Sequence, residues 1–184
     1  MKKITLFLLL ISSLYAQSQV YVGVSSGVYN ESFNEIDATN SAIISTLKVG
    51  YGNKKAYSVE FSLDYMPNDS KIFSSSPDAT ADGDRLGFNV NLQKSFDFNI
   101  YVLPYVKVGF GTGVFSIERK LQDKLSYGSF QFTLGSYLPL SKDVDLELGY
   151  EVRHTSYEAI NVIVTKTSYT SIVNIAYFGI NYRF

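Results

Sequence analysis

Apolar and polar residues alternate strictly in a series of short stretches along this chain. The cleanest lies at the end: Phe184, Tyr182, Ile180, Phe178 and Ala176 share one face, while Arg183, Asn181, Gly179 and Tyr177 share the other. A period of two sends successive side chains to opposite faces of a β-strand, one greasy and one wet. Seven earlier stretches repeat it: 20–29, 43–51, 57–65, 85–94, 102–111, 130–138 and 144–153. In the third, Tyr57, Val59, Phe61, Leu63 and Tyr65 oppose Ser58, Glu60, Ser62 and Asp64. Eight amphipathic strands are therefore expected.

The segments between them alternate in length. Residues 30–41, 67–84, 117–125 and 155–170 read as long loops, the third with one helical turn, whereas 52–55, 95–99 and 139–143 read as tight turns rich in Gly, Asn, Ser and Asp. Short turns on one rim and long loops on the other, with an even strand count, is the asymmetry of a barrel crossing an outer membrane. A secreted barrel of lipocalin type is the obvious rival, but its interior should be apolar. Here the face opposite the apolar one carries many ions, which suits an inside-out polarity. The expected fold is all-β: an eight-stranded antiparallel up-and-down transmembrane β-barrel. The supply of 15 Tyr, 13 Phe and 13 Gly, with no Trp, fits interfacial aromatics and a crowded interior.

Lys2 and Lys3 precede the apolar run Ile4–Ile11, and small residues follow at Ala16 and Ser18, so residues 1–16 read as a cleaved secretory signal peptide and 17–184 as the barrel domain. That apolar run is shorter than the roughly 20 residues a membrane helix needs. The chain has 16 Lys and Arg against 17 Asp and Glu; two of the lysines lie in the leader, leaving the mature chain at about −3. That balance gives no case for nucleic acid as a partner. With no Cys there is no lipid anchor, disulfide framework or thiolate metal site.

Ten ions fall on the inward face: Lys48, Glu60, Asp64, Arg85, Lys107, Asp145, Glu147, Glu151, Arg153 and Arg183. A barrel of eight strands is just wide enough for its own side chains, and charges confined there must pair. They are expected to form a salt-bridged plug rather than a selectivity filter, with Lys48 meeting Glu60 and Asp64 meeting Arg85 across neighbouring hairpins. A conducting lumen is the alternative. No metal or cofactor site is expected. Asp78, Asp82, Gly83 and Asp84 lack the spacing of a calcium loop, and Gly109, Gly111 and Gly113 precede no helix. The apolar patch 160–164 either extends its flanking strands or offers a contact surface.

Over 20–184 the pattern, the terminal Phe184 and the run Leu103-Pro104-Tyr105-Val106 resemble the small outer-membrane β-barrel family of OmpA and OmpX type. The resemblance implies a monomer in outer-membrane lipid and lipopolysaccharide, with a structural or surface-interaction role played by its extracellular loops. It also implies delivery to the barrel assembly machinery through a carboxy-terminal signal, here Phe178, Ile180, Tyr182 and Phe184. A second resemblance is narrower. His154 and Ser156 look like the His-x-Ser motif of lipid A deacylase barrels, which would make Ser156 the nucleophile and His154 its base, a lipid A esterase as the enzymatic alternative. That family follows the Ser with Asn and supplies a downstream Glu. Here Tyr157 stands in place of the Asn, and Glu158 is the last acidic residue of the chain. The expected protein is accordingly not an enzyme.

Overall fold

The computed structural model describes residues 18–68, 70–75, 81–117, 123–162 and 165–184, with 160–162 and 165–167 described by backbone alone. Residues 1–16, read above as a signal peptide, and Asp78 lie outside them. Ten strands follow one another: β1 (Gln19–Phe33), β2 (Thr39–Gly52), β3 (Tyr57–Met66), β4 (Arg85–Ser95), β5 (Leu103–Ser116), β6 (Lys124–Pro139), β7 (Val144–Tyr157), β8 (Ile160–Val162), β9 (Thr165–Thr167) and β10 (Thr170–Arg183). Eight of them close a barrel in the order β1-β10-β7-β6-β5-β4-β3-β2, all antiparallel, and β8 with β9 form a separate two-stranded ribbon. Residues 160–162 of the apolar patch 160–164 do not prolong the flanking barrel strands; they pair with Thr165–Thr167 instead.

The register fixes the barrel's dimensions. Stepping strand to strand through paired residues leads from Tyr21 to Gly50, Glu60, Asn91, Gly109, Gln131, Arg153, Val173 and back to Glu31 on β1. One circuit thus displaces the chain by ten residues. For eight strands that stagger requires a strand tilt of about 40°, within the range of membrane barrels.

Every stretch keeps the expected polarity. Val22, Leu47, Phe61, Phe88, Val108, Phe132, Leu148 and Ile180 are exposed on the outer face, while Glu60 and Lys107 are buried within. On most strands the outer apolar run spans about nine residues. At ~3.3 Å each and ~40° tilt it rises roughly 20–25 Å, the height of a hydrocarbon-facing band. Tyr51, Tyr57, Tyr182 and Phe184 mark its lower edge; Tyr65 and Phe130 lie near the upper one.

The strands outrun the alternation on the upper side. β1 and β2 continue through 30–33 and 39–42, so the connection expected over 30–41 shrinks to 34–38, and β7 and β10 likewise absorb the ends of the last loop. Above the band the outward positions meet water, and Asn30, Ser32, Ser41 and Thr39 are polar. The backbone ladder persists there while the hydrophobic signal that announces it fades.

Crowding inside is set by glycine. A Cβ at Gly135 would lie 2.4 Å from the Tyr105 ring and 2.6 Å from the Leu148 carbonyl, whereas one at outward Gly128 would meet nothing within 4 Å. Gly135→Ala should therefore destabilise the refolded barrel by about 1–3 kcal/mol in urea titrations, and Gly128→Ala should leave it unchanged.

Candidate functional site

The lumen is filled in tiers. Lowest, Arg183 Nε donates to Asp145 Oδ2 at 2.9 Å, and Lys54 reaches in from the β2–β3 turn to the same carboxylate. The Arg183 guanidinium lies 4.7 Å over the Tyr21 ring and 5.6 Å over that of Tyr137.

Above them Glu147, fully buried, accepts from Lys48 Nζ, from Lys107 Nζ at 3.0 Å, from the hydroxyls of Tyr105 at 2.6 Å and Tyr177 at 3.1 Å, and from Asn181 Nδ2 at 2.8 Å. Lys107 also donates to Glu60 at 2.9 Å, and Glu60 accepts from Tyr21 Oη at 2.8 Å. This one network joins β1, β2, β3, β5, β7 and β10. In the next tier Arg153 pairs with Asp64 and Glu151, each at 2.7 Å, and Asp64 accepts further from Asn89 and Thr46. Beside this tier, Tyr29, Ile44, Met66, Val173 and Ile175 from β1, β2, β3 and β10 form a buried apolar cluster. Uppermost, Arg85 pairs with Glu31, which also accepts from Tyr157 Oη and Ser171 Oγ, each at 2.6 Å.

All ten inward ions anticipated from the sequence are buried, but the expected pairings across neighbouring hairpins do not form. Lys48 bonds Glu147 rather than Glu60, and Arg85 bonds Glu31 rather than Asp64. Strand tilt separates hairpin neighbours in height, while long side chains crossing the lumen meet partners at their own level. Two ions were missed. Glu31 lies where polar outward residues mimic a loop, and Lys54 belongs to a turn. With them the described lumen balances six cations against six anions.

A hydrophobic cap closes the upper mouth. Phe33, Phe73, Phe115, Ile117, Leu125, Tyr127 and Tyr157 are buried together, with Ile36, Ile72 and Tyr169 packed against them. Phe73 comes from the Ser- and Asp-rich loop after β3, yet it lies 5.4 Å from the Phe33 ring, 5.6 Å from Phe115 and 5.1 Å from Tyr169. The Asp82 carboxylate fixes that loop by accepting the backbone N–H groups of Ile72, Phe73 and Ser74 at 2.6–2.9 Å. Asp82 is thus occupied as a loop staple, and no metal-binding cluster occurs among the described residues. The pair Ile72-Phe73 inside a polar run was the available sequence signal for the cap.

His154 and Ser156 share the outward face at the top of β7 and are exposed. They pair across the ladder with Ile172 and Thr170. Glu158 turns toward β6, its carboxylate accepting from Ser126 N–H at 3.3 Å. The carboxylate held beside Thr170 is Glu35, which accepts the Thr170 N–H and hydroxyl, each at 2.8 Å. That backbone bond holds the Glu35 pKa below the usual carboxylate value, with a smaller contribution from His154.

A closed antiparallel barrel with an apolar belt outside and ions inside defines an integral outer-membrane β-barrel protein. The chain belongs to the outer membrane protein beta-barrel domain family, whose model matches residues 4–184. It is similar in fold to Neisserial surface protein A, at 15% identity and a TM-score of 0.66 over 92% of this chain and 100% of that one. The N-terminal barrel of Pseudomonas aeruginosa OprF aligns at 10% identity and 0.56 over 91% and 100%. Yersinia pestis Ail, the attachment invasion locus protein, aligns at 15% identity and 0.52 over 92% and 100%. No curated protein matches the chain.

Two outcomes follow from the geometry. Glu147→Gln should cost about 3–5 kcal/mol in urea unfolding of the reconstituted barrel, because Lys48 and Lys107 lose their shared counter-charge; adding Lys48→Met should restore part of it. The Glu35 clamp on Thr170 is present above the ordinary carboxylate pKa and is lost as pH falls through its depressed value. Protection of the amides at 34–38, corrected for the intrinsic exchange rate at each pH, should therefore fall on acidification, and in Glu35→Gln that acid-dependent fall should be absent.

Proposed function

We propose that this protein is a non-conducting outer-membrane barrel whose role is surface interaction through its extracellular loops. The carrying observation is the double closure of the lumen, by the Glu147 network below and the Phe73 cap above. Between them remains a cavity of about 30 Å³, lined by Lys48, Glu60, Asp64, Lys107 and Arg153 among others. That is space for one or two water molecules rather than an ion path. A rigid, plugged barrel is a platform for loops.

Loop chemistry bears on what they would meet. Segments 34–38, 67–84, 117–123 and 158–169 carry nine acidic and four basic residues, a net of about −5. Ail also has a structure in complex with the heparin analogue sucrose octasulfate, and aligns there at 19% identity and a TM-score of 0.52 over 90% of this chain and 99% of that one. The acidic loops here oppose such a polyanion, so a partner with basic or neutral contact chemistry fits better.

Catalysis is not part of this reading. His154 and Ser156 lie at the outer-leaflet edge without an acid following them that faces the His, since Glu158 is engaged with Ser126. The protein acts as a monomer in outer-membrane lipid and lipopolysaccharide. The barrel assembly machinery recognises its last strand through Phe178, Ile180, Tyr182 and Phe184, which line one exposed outward face.

Planar-bilayer recording should give no steady open channel. Cells displaying the protein should adhere to polycationic or neutral protein surfaces more than to heparin, and replacing 67–84 by a short Gly-Asn turn should abolish the difference. Sustained conductance, or adhesion indifferent to the loop, would sink the proposal.

A further inference from the structure

The periplasmic rim is not uniform. The β2–β3 turn is Asn53-Lys54-Lys55-Ala56, with no large apolar side chain, Lys54 turned into the lumen and Lys55 paired to Asp97 at 2.7 Å. The β4–β5 turn that follows reads Phe96-Asp97-Phe98-Asn99-Ile100-Tyr101 and exposes its apolar side chains: Phe98 is 64% exposed, Ile100 59% and Tyr101 67%.

This turn is ordered by its own bonds. Asp97 accepts the Asn99 N–H at 3.0 Å, and Asn99 adopts a left-handed φ of 57°, the conformation Asn tolerates best after Gly. Phe96 N–H donates to the Pro104 carbonyl at 2.8 Å, and Tyr101 Oη donates to the Pro139 carbonyl at the end of β6. The Phe96 and Phe98 rings stack at 6.1 Å and 8°. The apolar groups are therefore presented outward by a fixed frame rather than left loose.

They also continue a surface whose solvent is already known. On β4 the outward residues Leu86, Phe88, Val90 and Leu92 belong to the lipid-facing band, and Phe96 extends that line beyond Lys94. Lys94 marks the boundary: its ammonium lies 4.3 Å over the Tyr57 ring and 6.0 Å from that of Phe96. A lysine stem laid along aromatic rings, with its charge at the band's edge, is the chemistry of a membrane interface.

We infer that the β4–β5 turn is a membrane foot, with Phe98, Ile100 and Tyr101 inserted among the phospholipids of the periplasmic leaflet while the β2–β3 turn stays in water. The occupant is phospholipid because the exposed groups join the hydrocarbon belt directly and share its aromatic and cationic edge. One consequence is a hydrophobic span longer on the β4–β5 side than on the β2–β3 side, which leans the barrel in the bilayer.

The absence of Trp from the chain makes the test clean. Phe98→Trp and, separately, Ile100→Trp place a single fluorophore on the turn; Lys142→Trp places one on the exposed β6–β7 turn for comparison. Each is refolded into phosphatidylethanolamine–phosphatidylglycerol vesicles, with folding checked by heat-dependent gel mobility. Both turn variants should emit to the blue of Lys142→Trp. Lipid brominated on its acyl chains should quench them more, and iodide present on both sides of the membrane should quench them less. Turn tryptophans as open to iodide as Lys142→Trp, or shielded from iodide yet untouched by brominated lipid, would overturn the foot; either variant suffices should the other fail to fold.

Discussion

Hydrocarbon offers a backbone amide nothing to bond to, and each unpaired N–H or C=O left in it costs several kcal/mol. Closure of β1 onto β10 answers that constraint, through a continuous ladder from Tyr21↔Arg183 to Phe33↔Ser171. The ten-residue stagger that closure imposes on eight strands sets their tilt, and so the height of the outer belt and the width of the interior. That width admits side chains and little else. The remaining features of the molecule are ways of living inside a tube of this size with lipid around it.

Charge is the sharpest case. An ion on the lipid face of a barrel is destabilising by about 2–4 kcal/mol at the bilayer midplane. The membrane-spanning ions face inward and must then find partners in a narrow space. Glu147 organises the lower half of the lumen, gathering donors from β2, β5 and β10 and, through Lys107, drawing in Glu60 on β3. Strands far apart in the chain are thereby joined across the barrel as well as around it. Such a network holds the cross-section fixed, which is what a platform for loops requires and a wide pore does not.

The two ends of the tube are built for different surroundings. Above the belt the strands project into water, and Phe73, anchored by Asp82, gathers Phe33, Phe115, Tyr157 and Tyr169 into an apolar core of the outer half. Below it the connections are short, and their side chains either turn into the lumen, as Lys54 does, or face outward, as Phe98 and Ile100 do. The same tilted ladder carries both, because the belt between them constrains only the outward positions.

Much of this was legible in the chain itself. A period-two pattern specifies both the strand and the face each residue takes, so the fates of Phe61, Leu148, Glu60 and Lys107 could be read locally, as could the inward placement of ten ions. Pairing could not. Lys48 meets Glu147, 99 positions away, because barrel closure and tilt bring them to one level, and no local periodicity encodes that. Glu31 and the upper ends of β1 and β2 escaped for a related reason: once strands leave the lipid, water relaxes the demand for outward apolar residues and the pattern lapses. Local alternation decided which way each side chain faces; only the closed, staggered barrel decided which of them meet.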